Sequence, residues 1–236
     1  EPSLLVVSCE RIRQTVTREL GLTAPWRGKI HVHLFPVTSA DDAITLTAEQ
    51  FRDDWNYRVH LPDIVERRRL MRALVQVVLL ETANRQAAGR SAELPPWLAV
   101  GLAEHLLASA QTELLFAPPR MRVGGLNLSR TVVTGRRTNP LAGARARLSE
   151  HSPLTLQELS WPTENDFTGD TAEAYHASAH LFVTELLRLK DCPACLRSGY
   201  AAGYRLQWMK ETAVVRVAAQ RIVHEYRRGR NARATG

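Results

Sequence analysis

From Leu70 to Leu80 the chain reads Leu-Met-Arg-Ala-Leu-Val-Gln-Val-Val-Leu-Leu, and no other segment constrains the fold as tightly. Wound as a helix, it presents apolar side chains on nearly every side, so it has to be buried around most of its circumference. Its polar residues are Arg72 and Gln76. They are four apart and share one face, and a polar stripe inside a core needs partners. The run of 11 residues falls short of the ~18 consecutive apolar residues of a membrane-spanning helix. A globular core therefore has to surround it. With 236 residues, 44% of them hydrophobic, the chain has the material for one or two such cores, and disorder is not expected over most of it.

The remaining pattern divides into a short strand-bearing quarter and a long helical part. Leu4 to Val7 is an apolar run that reads as a buried strand, and it leads into an amphipathic helix from Glu10 to Leu20 closed by Gly21. Cys9, beside the series Ile12, Val16 and Leu20, reads as a small core residue. Lys29 to Phe35 alternates as a second strand, with Ile30, Val32 and Leu34 on one face and His31, His33 and Phe35 on the other. The two histidines have the makings of a zinc pair, but no third ligand lies nearby in sequence, which favours surface or cleft-lining histidines. Tyr57 to Leu61 reads as a third strand, ended by Pro62.

Pro95-Pro96 introduces a second largely apolar helix, Trp97 to Leu107. Gly124-Gly125 marks a turn, and Arg136 to Arg147 is basic, rich in small residues and expected to be exposed. Ser152-Pro153 opens a short helical segment through Leu159. Thr171 to Leu189 is a long helical pattern with Leu181, Leu186 and Leu189 among its apolar residues. Ala213 to Arg228 is another, with Val214, Val217 and Ile222 expected to pack inward. The expected class is α+β: a small N-terminal sheet with a helix (1–62), then a mainly helical part (63–236), forming one compact unit.

The net charge of +7 comes from 31 Lys plus Arg against 24 Asp plus Glu, and Lys occurs only as Lys29, Lys190 and Lys210. The basic residues are dispersed. The densest groups, Arg67-Arg68-Arg69 and the tail around Arg227, Arg228 and Arg230, lack the interleaved aromatics of a single-strand-binding surface, which argues against nucleic acid as a partner. Cys192-Pro-Ala-Cys195 follows a helical stretch rather than a strand, so a local disulfide or two idle thiols is preferred over a thioredoxin-type redox pair. The chain begins at Glu1 without Met, and a processed N-terminus is the expectation from that.

Pro95-Pro96-Trp97-Leu98-Ala99-Val100-Gly101-Leu102-Ala103-Glu104 resembles the second-helix motif of the gluzincin branch of zinc metallopeptidases, the peptidase MA-like group. Leu154 to Leu159 followed by Tyr175-x-x-Ser178-x-x-Leu181 is similar to that family's downstream helical segment. The resemblance spans roughly Tyr57 to Leu189. It implies a buried helix bearing two zinc-binding histidines and a glutamate base, with a third ligand from the second helix. At those positions this chain carries Arg72, Ala73, Gln76 and Val100. Arg stays protonated and cannot ligate zinc, Ala73 cannot take a proton from water, Val100 offers no donor atom, and Gln76 alone is a poor anchor.

The reading is thus a metallopeptidase-like pseudoenzyme with no cofactor. Its vestigial cleft, lined by Arg72, Gln76, Glu104, Tyr175, His176 and His180, would bind a peptide or protein or support an assembly. Arg72 would either capture a carboxylate by paired hydrogen bonds or sit in an internal ion pair. The resemblance also implies an exported protein, whether periplasmic, extracellular or surface-associated. Two rival readings are a metal-dependent hydrolase with zinc displaced to Glu173, His176 and His180, which can share one helix face, and a basic anion- or nucleic-acid-binding module.

Overall fold

The computed structural model of the chain describes residues 2–22, 26–39, 42–52, 54–85, 91–109, 121–123, 126–128, 139–149, 151–163, 169–190, 192, 215 and 217–222. In chain order the elements are α1 (Pro2–Glu19), β1 (Lys29–Phe35), β2 (Thr45–Phe51), β3 (Asp54–Pro62), α2 (Arg67–Asn84), α3 (Pro96–Ala108), β4 (Met121–Val123), β5 (Leu126–Leu128), α4 (Ala142–Arg147), α5 (Leu156–Ser160) and α6 (Gly169–Leu187). The α+β class follows from these elements.

Leu4 to Val7, expected as a buried strand, lies inside α1, and Val6 and Val7 face solvent at 67% and 40% exposure. A four-residue apolar run does not by its own periodicity separate strand from helix, and here it continues the Glu10 to Leu20 pattern without a break. Ile12, Val16 and Leu20 form the buried stripe of α1. The helix closes as Gly21 suggests: Gly21 has φ +61°, its N–H donates to the Arg18 carbonyl at 3.1 Å, and the Leu22 N–H donates to the Thr17 carbonyl at 2.9 Å. That is the paired C-terminal bonding in which only a residue tolerant of positive φ fits.

The sheet has the order β1-β3-β2, with β1 parallel and β2 antiparallel to β3. Sequence reading omitted β2. Phe51 pairs with Asp54 across a turn in which Arg52 takes φ +56°. Trp55, Tyr57, Val59 and Leu61 of β3 point into the core, while Asn56, Arg58 and His60 point away from it. Leu34 of β1, expected on the apolar face, is 48% exposed near the end of its strand.

One hydrophobic cluster joins α1, β3, α2, α3 and α6, with Ile12, Tyr57, Leu74, Val100 and Phe182 among its members. The helix around Leu70 to Leu80 is buried as its composition demands: Leu74, Val75, Val77, Val78 and Leu79 are each 3% exposed or less. Pro95 caps α3 and Pro96 occupies its first turn. Gly101 lets α3 approach α6 closely, since a Cβ there would collide with the Ala179 backbone oxygen.

At the C-terminal end of α2 the buried Glu81 carboxylate accepts from Gly28 N at 2.9 Å, Arg27 N at 3.3 Å and Arg85 Nε at 2.9 Å. It thereby fastens the segment that leads into β1. A Cβ at Gly28 would overlap that carboxylate, so the close approach requires glycine.

Within the stretch expected to be exposed, Leu141 and Ala144 are buried, as is Leu148 just beyond it, and α4 packs on α6. Arg136 to 138 lie outside the described residues, as do Val214, Cys195 and the Gly124-Gly125 turn. Val217, expected to pack inward, is 39% exposed; the inward residues of its helical segment are Val215, Ala218 and Ile222, spaced as one helix face. Cys9 is partly buried against the core, and burial pushes its thiol up to about 11. Cys192 is buried. Among the described residues no helix is long and apolar enough to cross a membrane.

Candidate functional site

Arg68, Arg72 and Gln76 succeed one another at four-residue spacing along α2, so a polar stripe runs along a helix that is otherwise core. Arg72 and Gln76 are half-buried between the fully buried Met71, Ala73, Val75 and Val77. Arg68, one turn earlier, organises the charges around it. Its Nε meets Glu104 Oε1 of α3 at 2.7 Å, and an Nη meets Glu173 Oε1 of α6 at 2.7 Å.

Arg147 of α4 forms an ion pair with the second Glu173 oxygen. His176 Nδ1 lies 3.1 Å from Glu104 Oε1. The sequence Arg147, Glu173, Arg68, Glu104, His176 is therefore a chain of alternating partners that crosses α4, α6, α2 and α3. Burial alone would raise the Glu104 carboxyl; the hydrogen bond from His176 and the charge of Arg68 outweigh it and hold the group below the usual carboxylate range. Burial likewise works against the Arg68 cation, and Glu104 and Glu173 reverse that effect, so its pKa rises.

Tyr175 and Ser178 bind the α5 segment to α6. The Tyr175 hydroxyl, fully buried, donates to the Leu159 carbonyl at 2.9 Å, and the Ser178 hydroxyl accepts from Leu154 N at 3.1 Å. The two stretches paired in the sequence reading, Leu154 to Leu159 and Tyr175 to Leu181, thus meet in space. α5 itself starts with a capping box: Thr155 Oγ1 accepts from Glu158 N at 3.3 Å and Glu158 Oε2 accepts from Thr155 N at 2.7 Å. Burial holds the Arg72 guanidinium below its usual range, with Tyr175 opposing the shift.

Deeper between α3 and α6, His105 Nδ1 and Thr184 Oγ1 are hydrogen-bonded at 3.0 Å. The His180 ring lies edge-on to His105 with centroids 6.2 Å apart; it is 5% exposed, and its Nε2 has no hydrogen-bond partner among the described residues. Burial first, and then His105, push His180 down to about 4, with Glu104 opposing them. His105 is lowered by burial as well. Both rings are neutral in the folded protein near pH 7.

Zinc does not fit the residues that stand where the resemblance would place its ligands. Arg72 carries a cation, Ala73 and Val100 are apolar core residues at 5% and 1% exposure, and Gln76 alone cannot anchor a metal. The displaced set is not brought together either. Glu173 is occupied by Arg68 and Arg147, His176 by Glu104, and His180 turns towards His105. Among the described residues no group of three or more His, Cys, Asp and Glu is placed to hold a metal ion.

Sequence reasoning placed Glu104, Glu173 and His176 in the site but missed Arg68 and Arg147, which hold them. The only signal for Arg68 was its place four residues before Arg72, hidden in the run Arg67-Arg68-Arg69. No family model, curated protein or solved structure matches this chain.

Proposed function

We propose that this chain is a metallopeptidase-like protein of the gluzincin type without hydrolytic activity, which uses the polar seam among α2, α3 and α6 to hold a peptide or protein segment through a carboxylate. The observation that supports it best is the pairing of roles on α2. Arg68 pairs with Glu104 and Glu173, and Arg72 and Gln76 continue the same stripe one and two turns on, half-buried, where a guanidinium gains from a bidentate carboxylate. Arg72 and Gln76 also stand at the two positions where the resembled family carries its zinc-binding histidines. The function proposed is therefore recognition in place of hydrolysis, in an exported protein.

The test combines three measurements on the chain purified without chelators. Elemental analysis is expected to find no stoichiometric zinc, and a casein digestion assay no cleavage. Fluorescence anisotropy with a labelled tripeptide is expected to show binding of the free acid but not of its C-terminal amide, with binding abolished by Arg72→Met. One tightly held zinc per chain with casein cleavage would overturn the inactive reading. Equal binding of acid and amide would overturn the carboxylate reading. A steep salt dependence of retention on heparin, retained in Arg72→Met, would favour the basic anion-binding module instead.

A further inference from the structure

The outward face of the sheet carries a histidine arrangement that the helix seam does not involve. In the parallel register of β1 and β3, His33 stands directly opposite His60. Their rings stack with centroids 5.0 Å apart and planes inclined by 16°. Both side chains are exposed, as is His31 on the same face two residues before His33. Along the sequence His33 has no third partner nearby; the fold brings His60 to it from the end of β3.

We propose that His33 and His60 form a two-imidazole site for a divalent transition metal of the copper and zinc class on the solvent face of the sheet. A metal–nitrogen bond of about 2.0–2.1 Å, with two imidazoles at roughly 90–110° around one ion, puts the ring centroids about 4.5–5 Å apart. The observed 5.0 Å meets that span. The strand backbones hold the two residues side by side, so binding needs no backbone movement. It needs only a turn about χ2, the softest torsion of a histidine, to bring the in-plane lone pairs of the near-parallel rings onto one point.

His31 stands opposite Arg58, whose guanidinium is paired with Glu49 at 3.3 Å. The position opposite His31 thus carries a guanidinium, which cannot ligate a metal, rather than a second imidazole. The site therefore offers two protein nitrogens and leaves the other positions to water, and Cu2+ should bind more tightly than Zn2+.

The experiment titrates Cu2+ into the full chain, free of any histidine tag, by calorimetry, with electron paramagnetic resonance at the endpoint. One Cu2+ per chain is expected, with hyperfine structure from two nitrogens. His33→Ala and His60→Ala should each weaken binding roughly a hundredfold, the lower range of what linking two ligands contributes. His31→Ala should leave the affinity unchanged. Absence of stoichiometric binding, binding that survives both single substitutions, or loss on changing His176 or His180 instead would each overturn the proposal. Loss in His31→Ala would overturn its two-ligand form. All three positions are exposed, so the substitutions should not compromise folding.

Discussion

Glu81 and Arg68 sit at opposite ends of α2, and each is held by partners from other segments, but they are held by different kinds of group. Glu81 is 1% exposed and saturated by two backbone N–H groups and the Arg85 guanidinium, so its negative charge is spent on positioning the segment before β1. Arg68 is 27% exposed and joins other side chains, Glu104 and Glu173, which are themselves shared with His176 and Arg147. A carboxylate closed off by backbone donors has one arrangement. A chain of side chains that stays in partial contact with solvent is held by flexible groups on four helices. The proposed recognition site belongs to the second kind.

The largest effect should come from opening the closed end. Glu81→Ala leaves two backbone N–H groups and a guanidinium without their acceptor, and about 3–5 kcal/mol of unfolding free energy should be lost in urea titrations. A loss comparable to that of Arg68→Met would erase the contrast between the two ends.

Next comes acid. His180 is held neutral by burial, with its pKa depressed to about 4 from 6.5, so the unfolded chain takes up its proton first as pH falls. Its contribution is present above about 6.5 and is lost between there and about 4, amounting to roughly 3 kcal/mol. His180→Leu should flatten the pH dependence of the urea midpoint in that window while also removing an orphaned buried nitrogen at neutral pH. An unchanged slope would contradict the assignment. Glu104, whose carboxyl is depressed, adds a further loss only at lower pH, as it protonates below the usual carboxylate range.

Arg68→Met should cost about 1–2 kcal/mol, because its partners are partly solvated and Glu104 keeps His176. Added salt should narrow the difference from the unmodified chain. The smallest effect on stability belongs to Arg72→Met, expected within about 1 kcal/mol because it removes a cation that burial already disfavours. The same substitution should abolish binding of the free-acid tripeptide. A large destabilisation without loss of binding would move Arg72 to the structural side of the comparison.

The buried helices were legible because their composition leaves no alternative: Leu70 to Leu80 is apolar on nearly every side, and Pro95-Pro96 marks where α3 begins. β1 was legible from its alternation. β2 was not, since Leu46 and Ala48 are the main apolar residues on its inner face, too few to stand out from a polar loop. The site was half legible. Spacing placed Arg72 beside Gln76 and His176 beside His180, and resemblance pointed to Glu104 and Tyr175, but a side chain's partner on another helix leaves no trace in its own neighbourhood. Arg68 and Arg147 looked like solvated charge for that reason, and Glu81 carried no mark of its bond to Gly28.

The contact of Gly101 with Ala179 carries a consequence for the order of events when the chain folds. The β2–β3 hairpin is joined by a tight turn and closes locally, whereas the α3–α6 seam joins residues separated by the whole middle of the sequence. Ordering so long a loop has to precede any gain from the contact. The seam should therefore form late on the way to the native state, with the hairpin acquiring amide protection first. Once closed, with the two backbones touching, α3 and α6 should exchange their amide hydrogens as one cooperative unit and be among the last parts of the molecule to open.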